Sequence, residues 1–561
     1  MKRRLPIAAK MFPATRHRVE QLRVDWAGLR TRSGKRVDVS TAKASHPSGN
    51  AALGRDILEG TFRRFGQTHT SDPAKTWTAA LPSERFAVWL HGFSWLHHLA
   101  ASESETARSL SETLFARWVE EYGQYHSFAW RPDILAQRVL ALSLTSPLGG
   151  DPEAGTAASL NRQATVLSRT HARLPRSAAR LQALIALAAA DLRLKGAPRL
   201  GANIHSELTQ TLKSDILPDG GYVSRCPETA LDIYSDLFAL DGLLEAEGKP
   251  AWPAVSRALD RLAPFLATLS HTDGGLATFQ GGGQGNPQAL NSAMAQPQAR
   301  PFGFAPNTGY QRIVAEGTCL LVDTGELPPF PLDRHAHVSP LAFEMSSGAG
   351  RLIVSCGFSQ EQPLSWREAV RLPAAHSTLH LDPAQPVRFV PAQDVFSGLH
   401  IADEPAAHVT RDTAPVKIQR REAEMGVLVE GSHHGYAAES GLIHSRRLYL
   451  SKDGRDLRGE DSLSLAPDAL ENIAETQTVS IRFHLHPDVE ARLSDKGTHI
   501  DLSLGEESWV FLASAPGARF FLEPSAYLGT GVRARPTQQI TMQLTLEDTQ
   551  WQGRWGLRRR S

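Results

Sequence analysis

The chain contains few cysteines and no excess of charge of one sign. Its three cysteines, Cys226, Cys319 and Cys356, include no Cys-x-x-Cys pair and are too scattered for a disulfide framework, so we interpret them as structural thiols. Sixty basic and 59 acidic residues leave a formal net charge of +1. No global field therefore favours nucleic acid or an anionic membrane, and a polyanionic ligand would need a local basic cleft.

Long hydrophobic runs are also missing. No stretch reaches the roughly 18 apolar residues that span a bilayer. The N-terminus, MKRRLPIAAKMF, has a basic start but only a short, weakly apolar continuation, whereas a secretory leader needs about 7–15 clearly apolar residues and a cleavage site. We therefore expect neither an integral membrane segment nor a secretory leader.

Up to about residue 270 the apolar residues recur at helical spacing. Several segments are apolar nearly all round, which is typical of inner helices in a two-layer array. Two Asp-Gly-Gly turns, at 219–221 and 273–275, lie 54 residues apart (273 − 219), the size of a helix-pair repeat. The helical segments are 110–122, 132–144, 180–194 and 229–247.

From about residue 305 the pattern changes to short β-rich runs with a period of two, separated by turn residues. Such runs predict stacked antiparallel sheets. The segment 280–308 is rich in Gly, Pro, Gln and Asn and is interpreted as a boundary. We predict an α+β multidomain protein: an N-terminal extension with the first helices (1–80), an incomplete (α/α) toroid (81–300) and an antiparallel β-sandwich (301–561).

Nine strings, in order along most of the chain, resemble proteins of the heparinase II/III family, above all the version common in alphaproteobacterial genomes. The resemblance implies a polysaccharide lyase that cleaves a uronate-containing anionic polysaccharide by β-elimination. It also implies a place in the cell envelope or periplasm, although the lack of a visible leader favours the cytoplasm. The strings are FAVWLHGFSWLHHLA (86–100), YHSFAWRPDILAQRVL (125–140), ILPDGGYVSRCPETALDIYSDL (216–237), NTGYQRI (307–313), HAHVSPLAFEMSSG (335–348), HSTLHLD (376–382), HHGYAAESGLIHSRRLYLSKDGRDLRGED (433–461), FHLHPDV (483–489) and EPSAYLGTG (523–531).

β-Elimination needs a base, an acid and a group that neutralises the uronate carboxylate. The resemblance implies that His335, in DRHAHVSP, is the acid or base. Active relatives carry Tyr-His after the Asp-Gly-Gly turn, where this chain has Thr229 and Ala230. Tyr222 and Tyr234 are the nearest substitutes. Either Tyr222 or His335 carries the chemistry in a shifted arrangement, or the protein is a weak or non-catalytic relative.

The resemblance also implies a structural zinc site. Its ligands would be His337, a carboxylate at the end of the next strand and His376 at the start of a later strand. Ser355 stands where the carboxylate would be, next to Cys356. Because zinc takes about four N, O or S ligands, two alternatives remain: a site built from His337, His376 and Cys356, or a packed sandwich without metal, which we favour.

Four residues are candidates for substrate binding. Trp130 and Arg131 stand at a predicted helix start, and an aromatic ring beside a guanidinium suits a sugar carboxylate. Both could equally serve packing. Tyr436 and His444 belong to a polar cluster of the sandwich, which could face the cleft or form a solvated strand edge.

Other histidines and tryptophans have simpler interpretations. Trp89 and Trp95 lie in an apolar stretch, so we expect them in the core. His484 and His486 alternate with apolar residues and are expected to face solvent. The loop GGGQG (281–285) is no phosphate loop, because no strand precedes it and no Lys-Ser/Thr follows.

Two further functions remain open. The first is a catalytically impaired protein that binds glycans or acts in the assembly of envelope polysaccharide. The second is a glycoside hydrolase on the same toroid, with Asp219 and Asp273 as paired acids, which would have to lie roughly 5–10 Å apart. Asp-Gly-Gly turns are also explained by backbone geometry alone.

Overall fold

The structure is a computed structural model. It describes residues 44–145, 156–195, 203–386, 416–467, 477–529 and 533–560, with a few single positions and short strands in the gaps. The first 21 residues, on which the leader prediction rests, lie outside the described residues. Among the helices described, none combines the length and apolar character that a bilayer crossing requires.

The chain divides into two compact units. The helical unit comprises Met1–Ile216, Leu231–Asp260 and Gln393–Pro405. The sheet unit comprises Leu217–Ala230, Arg261–Ala392 and Ala406–Ser561. The first Asp-Gly-Gly turn and most of the segment between residues 261 and 300 are thus grouped with the sheets.

The helices confirm the four helical predictions, through α4, α5, α7 and α9 in the list below. Several begin at a serine that caps the first turn, as Ser104 does by accepting a hydrogen bond from the Ala107 amide (3.1 Å). Buried residues of α7 lie on all sides of the helix, as expected for an inner helix. The helices are α1 Ala51–Leu58, α2 Glu84–His91, α3 Leu96–Ala100, α4 Glu105–Tyr122, α5 Pro132–Leu144, α6 Thr156–Thr170, α7 Ala178–Arg193, α8 Ile204–Asp215, α9 Pro227–Ala246, α10 Pro253–Thr268, α11 Pro287–Met294, α12 Leu364–Ala369 and α13 Ala437–Ser440.

The strands form two large antiparallel sheets in the sheet unit. One sheet has the order β21-β22-β17-β9-β8-β7-β6-β5, with β10 also paired to β17; the other has the order β13-β14-β15-β16-β23-β20-β19-β18. The strands are β1 Asp38–Val39, β2 Thr61–Arg64, β3 Gln67–Thr70, β4 Leu194–Lys195, β5 Phe304–Ala305, β6 Tyr310–Ala315, β7 Thr318–Asp323, β8 Phe343–Ser347, β9 Gly350–Val354, β10 Leu379–Asp382, β11 Phe389–Val390, β12 His408–Val409, β13 Lys417–Ala423, β14 Gly426–His433, β15 Leu442–Ser451, β16 Asp456–Leu465, β17 Gln477–Leu485, β18 Glu490–Leu493, β19 His499–Leu504, β20 Glu507–Ser514, β21 Arg519–Tyr527, β22 Arg535–Leu546 and β23 Trp551–Arg559.

The inner faces of the two sheets share one apolar core. Phe343 and Phe483 of the first sheet pack on Trp555 of the second, with ring centroids 5.5 Å and 4.6 Å away. Burial alternates along strands such as β15, which is why the sequence shows a period of two. The predicted β-sandwich is confirmed.

Three local expectations differ from the structure. The Gly- and Pro-rich segment contains a helix, α11, which is capped by Asn286. This helix begins at Pro287, in the first-turn position that proline tolerates. Two short strand pairs, the hairpin β2–β3 and the pair β1–β4, lie in the region for which only helices were expected. His484 and His486 are buried (3% and 7% exposed), so the expectation that they face solvent is wrong. The Ala374 carbonyl and the Ser525 hydroxyl cover the His484 ring from other segments, at 2.9 and 2.8 Å. Trp89 and Trp95 lie in the core, as expected.

Candidate functional site

A buried polar network lies beside the first Asp-Gly-Gly turn in the sheet unit. Asp323, at the end of β7, forms an ion pair with Arg225. Its second carboxylate oxygen accepts hydrogen bonds from Gln280 Nε2 (2.9 Å) and from the Ser339 hydroxyl (2.8 Å). Both charged side chains are almost fully buried. The Arg225 charge is therefore neutralised inside the protein and does not face a substrate carboxylate.

Hydrogen bonds hold the backbone at Arg225 as well as its side chain. Arg225 has a positive φ of 65°, and its Nε donates to the Thr308 carbonyl (2.6 Å). Its own carbonyl accepts from the Tyr310 hydroxyl (2.7 Å). Burial acts to lower the pKa of Arg225, but the Asp323 charge outweighs it, and the net effect is an increase. The guanidinium stays charged.

A glycine loop at 281–283 brings His335 beside the segment that follows Arg225. Gly281 has a φ of +80°, and a Cβ there would lie 2.7 Å from the His335 carbonyl oxygen. A Cβ on Gly282 would lie 2.9 Å from Cys226 Sγ. The Gly283 amide donates to the Glu228 carboxylate (2.8 Å). Close approach of these segments, not phosphate binding, explains the glycines.

His335 is the accessible member of the predicted catalytic set. It ends a short 3-10 helix, Leu332–His335, is half-buried, and lies 5.4 Å from the Phe358 ring. Tyr222, in the sheet unit, is only 1% exposed. Tyr234, in the helical unit, is fully buried and stacks on Phe238. Neither tyrosine hydroxyl can reach a polymer without rearrangement.

The positions at which the family resemblance implies Tyr-His, 229 and 230, do not supply a replacement. Thr229 is half-buried and Ala230 is fully buried in α9. Neither side chain can take up a proton as a base does. A catalytic role for His335, Tyr222 or Tyr234 stays a prediction.

The structure brings His337 and His376 together. Their rings are fully buried, with centroids 5.1 Å apart. Among the described residues, no ring nitrogen of either histidine has a hydrogen-bond partner. Burial lowers the pKa of His337 well below its usual range and that of His376 to about 4. Both imidazoles are therefore neutral, the form that binds metals.

The remaining side chains do not complete a zinc site of the family type. The Ser355 hydroxyl is buried and lacks a described partner. Cys356 Sγ lies 3.5 Å from His484 Nδ1, and burial raises the pKa of this thiol to about 12. Within the described part of the chain, no three His, Cys, Asp or Glu side chains could hold a metal ion. His337 and His376 are therefore present, but the anionic ligand that would complete a zinc site with them is missing.

Trp130 and Arg131 are engaged within the helical unit. The Trp130 ring is 5% exposed, and its Nε1 donates to the Tyr122 carbonyl (2.8 Å). Arg131 forms ion pairs with Asp133 (2.7 Å) and Glu84 (2.9 Å). These contacts agree with packing roles, and glycan binding by this pair stays a prediction.

Tyr436 and His444 require a correction, because both are fully buried and neither faces a cleft or a solvated edge. The Tyr436 hydroxyl donates to the Leu379 carbonyl (2.9 Å). His444 lies between His433 (3.0 Å) and Asp461 (2.8 Å). They belong to the interior of the sandwich, and the period-two pattern did not reveal which face of β15 is covered.

Asp219 and Asp273, the pair considered for hydrolysis, are both engaged. Asp219 accepts from the Asn307 and Thr308 amides, each at 2.7 Å. Asp273 forms a two-point ion pair with Arg351, at 2.7 and 3.1 Å. The hydrogen bonds of Asp273 and the Arg351 charge outweigh its burial and lower its pKa, so it would be a poor general acid. Stabilisation of two turns accounts for both carboxylates.

An open groove of about 700 Å3 on the outer face of the eight-stranded sheet was not predicted. Its central row of paired residues runs across five strands and is interrupted by Gly556, which has no side chain. Three arginines and a single glutamate line it, and two of the arginines pair with carboxylates just outside the lining, Glu430 and Asp456. The sequence signal was the charged residues at alternate positions of the two central strands: Asp456, Arg458 and Glu460 on β16, and Arg554 and Arg558 on β23. The row is Leu428, Tyr449, Arg458, Gly556 and Leu512, and the other charged lining residues are Arg447, Glu460 and Arg554.

The chain is similar in sequence to known proteins. Residues 297–555 match the family model "Heparinase II/III-like, C-terminal". FtsZ-localized protein C of Caulobacter vibrioides is 32% identical over 496 residues, which cover 86% of this chain and 83% of that protein.

Two solved structures have a similar fold. A crystal structure of heparinase III superposes with a TM-score of 0.65 at 13% identity, covering 96% of this chain and 89% of the other. A mutant of the heparan sulfate lyase HepC from Pedobacter heparinus gives a TM-score of 0.59 at 13% identity, covering 97% and 88%. At such identities the likeness shows the fold alone.

Proposed function

Because the chain belongs to the heparinase II/III family, we propose that it is a polysaccharide lyase-like protein that binds a uronate-containing anionic glycan and has lost most of the β-elimination chemistry. The observation that carries this proposal is the burial of both candidate tyrosines, with Thr229 and Ala230 at the family's Tyr-His positions. A base that cannot reach the C5 proton cannot start the elimination.

Binding has support from the arginine-lined groove. The side chains of Arg447, Arg458 and Arg554 are 51%, 65% and 71% exposed. Each pairs with a carboxylate of the same sheet, yet a guanidinium has five N–H donors and these contacts leave several for a ligand. Planar guanidinium groups beside Tyr449 suit sugar carboxylates and sulfates.

The test combines binding and cleavage on a panel of heparan-like, alginate-like and bacterial uronate polysaccharides. We expect binding that weakens with salt, unchanged polymer length and no ultraviolet-absorbing unsaturated product. The double variant Arg458→Ala/Arg554→Ala should reduce affinity at least tenfold. Arg492→Ala is the matched control, because this exposed arginine lies on β18 at the edge of the same sheet. Rapid release of unsaturated products by the folded protein would refute the loss of chemistry.

A second candidate is an active lyase that uses His335 alone as acid and base. The half-buried position of His335, whose backbone lies against Gly281, favours it. In that case product release follows the ionisation of one imidazole and disappears in His335→Ala. Polymer that stays intact with the unmodified protein rules this candidate out.

The C. vibrioides relative is named for its localisation to FtsZ. We propose that this chain also associates with FtsZ assemblies and acts there as a binding or assembly protein. A fluorescent fusion should follow FtsZ in dividing cells, and purified protein should sediment with FtsZ polymers. Uniform distribution of a functional fusion, together with no co-sedimentation, would contradict this proposal.

A further inference from the structure

Three buried polar side chains near the end of β9 lack hydrogen-bond partners: His337, His376 and Ser355. All three residues are 0% exposed, and neither the four ring nitrogens nor the serine hydroxyl has a partner among the described residues. The Val370 backbone is close enough to raise the pKa of His376, but it makes no hydrogen bond of normal geometry. An unsatisfied buried polar group costs about 1–3 kcal/mol. Native proteins keep few of them, so a cluster of three calls for an explanation.

The histidine geometry matches that of two ligands on one ion. The ring centroids are 5.1 Å apart and the ring planes meet at 58°. Two imidazoles bound to one tetrahedral zinc ion, with Zn–N near 2.0 Å, have centroids on the order of 5 Å apart. The pair is therefore already spaced for metal binding.

Ser355 lies in the segment beside these rings. It directly follows β9, and the amide of its neighbour Cys356 donates to the Ala375 carbonyl (3.0 Å). This bond holds the chain after Ser355 against the chain before His376. In the family pattern a carboxylate ligand stands at the Ser355 position. A neutral serine hydroxyl is not among the usual zinc ligands, which are Cys, His, Asp and Glu.

We propose that His337, His376 and Ser355 form a dormant metal site, which the unmodified chain leaves empty and which one anionic side chain at position 355 restores. The two imidazoles remain because their removal would open a cavity in a packed region. The inference does not depend on glycan binding, since the test reads the metal directly.

The experiment measures zinc content and cobalt spectra of purified, folded full-length protein after equilibration with metal and removal of the excess. For Ser355→Asp we expect close to one zinc ion per chain and a thermal midpoint that rises with added zinc. The unmodified protein should retain substoichiometric zinc and show no rise. Ser355→Asn, which matches the size of Asp without its charge, is the control and should behave like the unmodified protein.

Ser355→Cys keeps the test decisive if a buried carboxylate prevents folding. A thiol is neutral without metal, and as a thiolate it gives cobalt a strong charge-transfer band. Adding His376→Ala to either variant should abolish binding. One tightly held zinc ion in the unmodified chain would overturn the proposal. So would the absence of metal from folded Ser355→Asp and Ser355→Cys.

Discussion

Two buried histidine pairs in the sheet unit have nearly the same spacing and opposite surroundings. The rings of His433 and His444 are 5.0 Å apart, and those of His337 and His376 are 5.1 Å apart. In the first pair, a hydrogen bond of 3.0 Å joins the rings and another of 2.8 Å joins His444 to Asp461. In the second pair, no ring nitrogen has a partner among the described residues.

The difference between the pairs is one carboxylate. Asp461 also accepts from Arg446 (2.7 and 3.0 Å) and from Trp555 Nε1 (2.8 Å). Burial acts to raise its pKa, but Arg446 and His444 outweigh it and hold the pKa well below its usual range. A buried imidazole pair with such an anion is fully satisfied and structural. Without one, the pair is left ready for a ligand, which is the situation at His337 and His376.

Removal of the anion from the satisfied pair should have the largest effect. Asp461→Ala leaves the buried Arg446 charge and the His444 ring without their acceptor. We expect a loss of about 3–5 kcal/mol in the free energy of unfolding, measured by denaturant titration at pH 7.5. Asp456→Ala, on the same strand but paired with exposed Arg458, should cost no more than about 1 kcal/mol. Equal losses of unfolding free energy in Asp461→Ala and Asp456→Ala would contradict the distinction between the two histidine pairs, because the buried carboxylate would then contribute no more than an exposed one.

Acid should reveal the cost of the unsatisfied pair. The pKa of His376 is lowered to about 4 in the folded state, below the value near 6.5 of an unfolded chain. As pH falls below about 6.5, the unfolded state takes up a proton that the folded state refuses, so stability is lost until about pH 4. Between pH 7.5 and 5 this linkage amounts to about 2 kcal/mol.

The measurement compares the unmodified protein with His376→Leu, which cannot titrate at this position. The unfolding free energy of the variant should fall less between pH 7.5 and 5, by about 2 kcal/mol. Histidines that do not interact with His376 contribute equally to both proteins and cancel. The His376 charge helps to lower the pKa of its neighbours His337 and His484, so its loss acts in the same direction and makes the expected difference a lower bound. Identical pH dependence would mean that the His376 ring is protonated in the folded state, as a ring beside an anion would be.

The sequence predicted the parts of this comparison that depend on local periodicity. The period-two runs predicted both sheets, and α7 was recognised as an inner helix. The family resemblance, not a local pattern, implied that His337 and His376 belong to one site. Whether a strand face is covered depends on distant segments. The alternation along β17 distinguishes the two faces of the strand but does not show whether a face is covered, so it predicts that His484 faces solvent. In the structure, Ala374 and Ser525 cover the His484 ring.

The sequence could not predict which polar residues pair over long distances, because such pairs also depend on segments that are far apart in the chain. Arg225 and Asp323 are 98 positions apart, and no local pattern pairs them. The burial of Tyr436 and His444 likewise depends on how the second sheet packs on the first. The alternation of charged residues around β16 was visible in the sequence. Only the strand order shows that these residues lie beside those of neighbouring strands and line one groove.

The smallest effect on stability is expected at His335, which belongs to neither pair. Its side chain is half-buried, and its ring lies 5.4 Å from the Phe358 ring. His335→Ala leaves the ion pair between Arg446 and Asp461 intact and truncates a ring that is only half-buried, so the unfolding free energy should change by no more than about 1 kcal/mol. Denaturant titration at pH 7.5, with Asp461→Ala as the reference for a structural residue, measures this change. A loss above about 2 kcal/mol would mean that His335 is a structural histidine like His444 and would remove the remaining accessible acid or base from the candidate site.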